Sequence, residues 1–413
     1  MSSKVSLMNS PKIIGAGEAV TRAALHLRET GWDGEVTLIG QEPYIPYEGP
    51  PLSKTLLTKG IIPPALVSKE KLEELRINFS NNTLVNEIDR PSRCLILEND
   101  VVLPYQNLLI ATGASARKLT CPGSEHALVL SNLEDSLVLR SLLIPKKHLI
   151  LIGAGFIGLE LAAGARMDGC RVTVLEAASR VLGRAVPAEV AEVIANEHQQ
   201  QGVEIICNVQ LEQIQLLGDG YVVQLAEDKS IQGDFVVAGI GAIPEIALAE
   251  AAGLQTENGI LVDSFMQTSD PNIYAAGDCC SFPHPLYGRQ RMRLEMWRCA
   301  REQAKCAVQN MIDTPQEFST VLGFWSDQFE LGLQVVGLPQ FAERIISRVR
   351  ADGVTIYFGL SDGGQLVSAA GVGVGNSVAK DIRLAEILIT SRKPLNPEDL
   401  ANPNLNLKKL LKN

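Results

Sequence analysis

Residues 149–176 read LILIGAGFIGLELAAGARMDGCRVTVLE. Four aliphatic residues run into Gly153-Ala-Gly155, a third glycine follows at 158, and a helical pattern leads to the strand RVTVLE. That strand ends on Glu176. Glycines at this spacing between a strand and a helix, with an acid about twenty residues on, form the dinucleotide-binding βαβ fingerprint. Gly153, Gly155 and Gly158, with Phe156 and Ile157 between them, let backbone approach a pyrophosphate. The helix N-terminus points its free amide hydrogens at that group. A carboxylate at Glu176 accepts ribose hydroxyls and repels a 2′-phosphate, so NADH is expected over NADPH.

The same rhythm occurs earlier, in KIIGAGEAVTRAALHLRETGWDGEVTLIGQE (12–42). Gly15 and Gly17 are kept, but Val20 occupies the third glycine position. Gly40 stands where the other copy has Glu176, and the nearest acid is Glu42. Val20 adds bulk where the helix lies close on the strand, so an outward shift of that helix is expected. Glu18, in the first helical turn, suits the helix dipole but repels an incoming pyrophosphate. Arg22, one turn on, is expected to pair with it.

At 413 residues the chain is long enough for two or three domains. A net charge of −10 argues against general nucleic-acid binding. The N-terminal dozen residues carry no apolar signal core, and no apolar run is long enough to span a bilayer, so a cytoplasmic protein is expected. The eight cysteines are scattered without C-x-x-C spacing, and the adjacent Cys279 and Cys280 suit neither a metal site nor an easy disulfide. No metal site is expected.

Three further strands close on turns: LLIATGA (108–114) on Thr112-Gly113, FVVAGIGAIP (235–244) on a glycine turn that holds Gly241, and TSDPNIYAAGDCC (268–280) on Gly277-Asp278. A helix is expected from about Met296 to Met311. From about Val321 the pattern changes to short β-like runs, followed by an amphipathic helix around 377–390. The expected fold is α/β, with two Rossmann-like nucleotide domains and a C-terminal α+β domain. Its segments are 1–115 and 238–320 for the first nucleotide domain, 116–237 for the inserted second, and 321–413 for the last.

Two dinucleotide units, an Ala-Thr-Gly strand between them and a late Tyr-Ala-x-Gly-Asp strand resemble the two-dinucleotide-binding-domain flavoproteins. The segments YEGPPLSK (47–54), RLEMW (293–297) and FWSDQF (324–329) are similar to the ferredoxin reductases of bacterial oxygenase systems. The resemblance implies FAD on the first unit, held by Gly15, Gly17, Glu42, Ala111, Thr112, Gly113 and Asp278, and NADH on the second. It implies that Lys54 sits beside the flavin and pairs with Glu160, and that Arg184 contacts the nucleotide. Glu295, Met296 and Trp297 would open a helix aimed at the flavin, with Trp325 as a second flavin-side aromatic; a core role is the rival for both tryptophans. Gly49 replaces an arginine of the family's motif, and Gln41 replaces an acid. With Val20, these changes are expected to leave FAD bound but more weakly.

Disulfide reductases of this fold carry a C-x-x-x-x-C pair in the first domain, and YEGPPLSKTLL has no cysteine. The implied reaction is NADH-dependent reduction of a [2Fe–2S] ferredoxin. Rubredoxin reduction, NADH oxidase activity, and a nucleotide-binding redox sensor with little turnover are the alternatives. Residues 289–305 carry a net charge of +4 in an acidic chain. Arg289, Arg291, Arg298 and Arg301 are either a docking patch for an acidic ferredoxin or a solvated helix face.

Overall fold

The computed structural model describes residues 10–183 and 185–411. Residues 1–9, part of the segment without a signal core, and Arg184 lie outside the described residues. Among the described residues two compact units are present, one within 10–49, 63–115 and 243–320, the other within 50–62, 116–242 and 321–411.

In chain order the principal elements begin with β1 (Lys12–Ile14), α1 (Glu18–Glu29), β2 (Val36–Ile39), β3 (Ile77–Ser80) and β4 (Leu108–Ile110). Next come β5 (Ala127–Leu128), β6 (His148–Ile152), α2 (Phe156–Met167), β7 (Arg171–Leu175), α3 (Ala188–Gln200), β8 (Val203–Ile206) and β9 (Phe235–Ala238). Then follow β10 (Ile273–Ala275) and α4 (Trp297–Met311). The chain ends with β11 (Gly323–Gln328), β12 (Leu331–Gly337), β13 (Arg344–Val349), β14 (Thr355–Leu360), β15 (Leu366–Val374) and α5 (Ala379–Ser391).

The first unit holds a parallel sheet in the order β10-β4-β1-β2-β3. β1, β2, β4 and β10 are buried at every position, as strands covered on both faces must be. Even Lys12 is buried, its Nζ donating to Thr37 Oγ1 at 2.9 Å. α1 turns Val20, Ala23, Ala24 and Leu27 inward, an i, i+3, i+4, i+7 stripe. The chain leaves β1 toward β2 on one side and returns to β4 on the other. Such a topological switch opens a crevice beyond the carboxyl ends of the strands. Gly15–Gly17, Thr112–Gly113 and Gly277–Asp278 all follow those ends.

The second unit repeats the scheme, in the order β8-β7-β6-β9-β5. An antiparallel meander (Leu211–Leu217, Gly220–Leu225, Lys229–Gly233) packs Ile214, Val223 and Leu225 on Ile150, Ile152 and Val236 of this sheet. The same unit contains the antiparallel sheet β11-β12-β15-β14-β13, backed by α5. Its core includes Phe358, Ile356, Ala385 and Leu388. β11 lies against α2, and α3 against β15.

Candidate cofactor and redox site

In the second unit a Cβ on Gly153 would lie 2.3 Å from the Gly239 carbonyl oxygen, and one on Gly158 would lie 2.5 Å from the Gly153 oxygen. Neither position admits a side chain. Gly155 opens on free space and caps α2 without a side-chain acceptor. The first-turn amides of α2 are therefore left for an outside anion. Glu176 is held at the rim: Ala154 N–H donates to its Oε2 at 2.7 Å and Ala178 N–H to Oε1 at 2.8 Å. Gly241 accepts from Arg117 N–H at 2.9 Å. Phe156 is half-buried, 4.8 Å from the Phe324 ring, and Ile157 is exposed.

The first unit keeps the same steric logic at Gly15, where a Cβ would lie 2.2 Å from the Ala111 carbonyl oxygen. Gly17 again opens on free space and caps α1 without a side-chain acceptor. Gly277 is wedged between α1 and α4: a Cβ there would meet Ala19 at 3.5 Å and Ala300 at 3.7 Å. Its N–H donates to Gln303 Oε1 at 2.8 Å. Thr112 Oγ1 donates to the Glu245 carbonyl at 2.6 Å, and Glu245 N–H to that of Gly113. Glu42 accepts from the Tyr47 hydroxyl at 2.7 Å. Burial pushes the Asp278 carboxyl up to about 7, Glu295 pushes the same way, and Arg293 opposes. Glu295 is exposed and paired with Arg293 at 2.7 Å. Met296 caps α4 without a side-chain acceptor, and the Arg301 guanidinium stands 5.6 Å above the Trp297 ring.

One expected contact is absent. Arg22 is bonded to Glu29, two turns further along the same face of α1, rather than to Glu18. The cation at Glu18 is Arg301, from α4, at 4.0 Å. Burial pushes Glu18 up, and Arg301 and Arg22 pull it down through space. Local spacing missed this because α4 is remote in sequence.

Lys54 and Glu160 do meet. After the turn of 3-10 helix at Pro50–Ser53, Lys54 Nζ lies 3.6 Å from Glu160 Oε1. The same nitrogen is 2.9 Å from Asp327 Oδ2 and 5.5 Å from the centre of the Trp325 ring. Trp325 is 41% exposed, which removes the plain core role for it. Glu160 is buried, and its oxygens take hydroxyl donors from Ser53 and, at 2.6 Å, from Ser326. Burial pushes Glu160 up; Lys54, Ser326 and Ser53 pull it down. Ser53, Ser326, Asp327 and Gln328 were not singled out from the sequence, although PPLSK and FWSDQF contain them.

The arginines of the basic run have internal partners. Arg289 is ion-paired with Glu317 at 2.8 Å, and Arg291 donates to the carbonyls of Val262 and Ser281. Arg298 also has an interaction partner. Among the described residues no helix is long and apolar enough to cross a membrane, and no group of His, Cys, Asp and Glu could hold a metal ion.

Two glycine turns at the carboxyl ends of two parallel sheets, each leading to an uncapped helix, define a protein built for two dinucleotides. Residues 12–304 match the pyridine nucleotide-disulphide oxidoreductase family, and residues 323–411 match a reductase C-terminal domain. The chain is 34% identical over 406 residues to the ferredoxin–NAD(+) reductase component of the anthranilate 1,2-dioxygenase system of Burkholderia cepacia, covering 97% of this chain and 98% of that one. It is 36% identical over 350 residues to the rubredoxin–NAD(+) reductase of Pseudomonas putida, covering 83% and 90%. The reductase chain of the covalent putidaredoxin reductase–putidaredoxin complex superposes with a TM-score of 0.92 at 33% identity, over 98% of each chain. The chain belongs to the pyridine nucleotide-disulphide oxidoreductase family, whose enzymes use FAD and NADH.

Proposed function

We propose that this protein is an NADH-dependent ferredoxin reductase with non-covalent FAD, delivering electrons to a [2Fe–2S] ferredoxin of an oxygenase or P450 system. FAD, when bound, takes two electrons from NADH and releases them one at a time, which a one-electron iron–sulfur acceptor requires. Segments 1–115 and 238–320 form the FAD domain, 116–237 the NADH domain and 321–413 the interface domain. Gly15, Gly17, Glu42, Ala111, Thr112, Gly113, Asp278, Glu295, Met296 and Trp297 serve FAD. Gly153, Gly155, Phe156, Ile157, Gly158, Glu176, Arg184 and Gly241 serve NADH. Lys54, held by Glu160 and flanked by Trp325, is the cation that meets negative charge developing on the flavin. The same reading puts its work in the cytoplasm.

The observation that carries this reading is the lack of a thiol relay. Cys279, Cys280 and Cys299 are buried, and burial pushes each thiol up, so none offers a ready thiolate. The stretch from Tyr47 to Leu57 that holds Lys54 has no cysteine. Electrons therefore leave for an external carrier. The rubredoxin reductase relative keeps a rubredoxin as the second reading. Anaerobic turnover with NADH and purified acceptors tests both: faster reduction of a [2Fe–2S] ferredoxin than of a rubredoxin supports the first. Flavin reduction too slow for turnover overturns both in favour of a redox sensor. Arg289, Arg291, Arg298 and Arg301 steer an acidic ferredoxin, so added salt slows ferredoxin reduction more than reduction of a small neutral acceptor. Equal salt effects remove the arginines from docking.

A further inference from the structure

Glu160 is 7% exposed, and both of its carboxylate oxygens are engaged. Ser326 spends its single hydroxyl proton on Glu160 Oε1 at 2.6 Å, the length of a charge-assisted bond. Toward any other neighbour Ser326 can only accept, and Gln328 Nε2 donates to it at 3.0 Å. That orients the amide of Gln328, whose Oε1 faces His198 Nε2 at 2.9 Å. His198 must therefore carry its proton on Nε2. Its Nδ1 is buried without a hydrogen-bond partner, and the ring packs edge-on to Phe329 at 5.0 Å. A protonated Nδ1 would be a buried, unmet donor, so the imidazole is neutral; burial pushes it the same way. Every donor in this chain points in one direction, toward Glu160.

We propose that Ser326, Gln328 and His198 are positioning residues for electron transfer, a hydrogen-bond chain of single polarity that favours the ionised form of Glu160 and so helps to fix Lys54. The inference rests on the role given to Lys54 and Glu160 above. The charged groups acting on Glu160 are Lys54 at 3.6 Å and Asp327, which is itself bonded to Lys54. Burial is the largest influence and pushes Glu160 up overall; Lys54, and then the hydroxyls of Ser326 and Ser53, pull it back toward the ionised form. A protonated Glu160 would release Lys54 to Asp327 and to solvent.

The test is the titration of the Glu160 carboxyl in the full FAD-loaded chain without NADH, by 13C NMR of glutamate-labelled protein. Its signal is assigned by loss in Glu160→Gln. Ser326→Ala is expected to move the titration upward by about one unit, the worth of one hydrogen bond to a charge. Ser326→Thr, which keeps the hydroxyl, leaves it in place. Gln328→Leu, which unties Ser326 from His198, gives a smaller upward move. The acid limb of the pH profile for flavin reduction by NADH follows each shift. If the Glu160 titration is unmoved in Ser326→Ala, or moves equally in Ser326→Thr, the proposal is overturned. If Ser326→Ala does not fold, an unmoved titration in Gln328→Leu overturns it. Failure of NADH to reduce the wild-type flavin overturns the functional reading instead, and the carboxyl titration still decides the network.

Discussion

The two βαβ units solve one packing problem in two ways. Gly15 and Gly153 answer to the same obstacle, the carbonyl oxygen of the neighbouring strand's end, at 2.2 and 2.3 Å from a hypothetical Cβ. At the third glycine they part. Gly158 has α2 so close that a Cβ would strike the Gly153 oxygen at 2.5 Å. Val20 carries a real Cβ there and is fully buried. Its Cγ2 fills the gap, 2.9 Å from the place a Gly15 side chain would take. The acids differ too. A side chain at Gly40 would meet Ala16 Cβ at 2.8 Å, whereas Glu176 swings over its loop to bond Ala154 N–H. The second unit admits no side chain at its third glycine, whereas the first carries valine at the corresponding position.

Asp278 gives the largest expected effect, because burial pushes its carboxyl up to about 7. Its folded pKa of about 7 lies above the value near 4 of an unfolded aspartate. In FAD-free protein the folded state then holds a proton that the unfolded chain releases. The resulting stability is complete below about pH 4 and is lost as pH rises to about 7, roughly 2–4 kcal/mol in all. Urea midpoints across this window should fall in the wild type and much less in Asp278→Asn. Parallel curves would mean that Asp278 is well solvated.

Next comes Gly158→Val, which copies the first unit into the second. The added side chain has no room, and overpacking of about 1–3 kcal/mol raises the NADH dissociation constant roughly tenfold to a hundredfold. Flavin content should stay as in the wild type if, as proposed, the other unit holds FAD. An unchanged NADH affinity would show that α2 can retreat to admit the side chain.

These contrasts show why some of the molecule was legible in the sequence and some was not. The glycine turns, the buried aliphatic strands and the acid at 176 are local demands, each with few residue solutions, and they sit in one stretch of chain. The C-terminal domain was legible only as short β-like runs and one helix; its strand order β11-β12-β15-β14-β13 depends on pairing between distant segments. Lys54 and Glu160 came only from a resemblance, because 106 residues separate them. Ser326 reaches Glu160 across 166 positions, and no spacing rule connects them. Arg22 shows the opposite error. A permitted i, i+4 pair was expected, but Glu29 offered a partner on the same face and Arg301 arrived from another helix.

The smallest effect tests the first unit directly. Val20 departs from the fingerprint, yet it is fully buried, with its Cγ2 packed beside Gly15. Removing it leaves a void where two methyl groups packed, which costs stability, and lets α1 approach β1, which favours the nucleotide. The gain in FAD affinity for Val20→Gly is therefore partly offset by the lost packing, and a decrease of the dissociation constant by less than about tenfold is expected. Glu18→Gln, which removes a half-buried carboxylate from the first turn of α1, should act in the same direction with no void. Flavin fluorescence recovered on dilution measures both. If Glu18→Gln tightens FAD and Val20→Gly does not, charge rather than helix distance sets the weakness of the first site. If neither does, the departures of the first unit cost the cofactor nothing, and the two solutions are equivalent for binding.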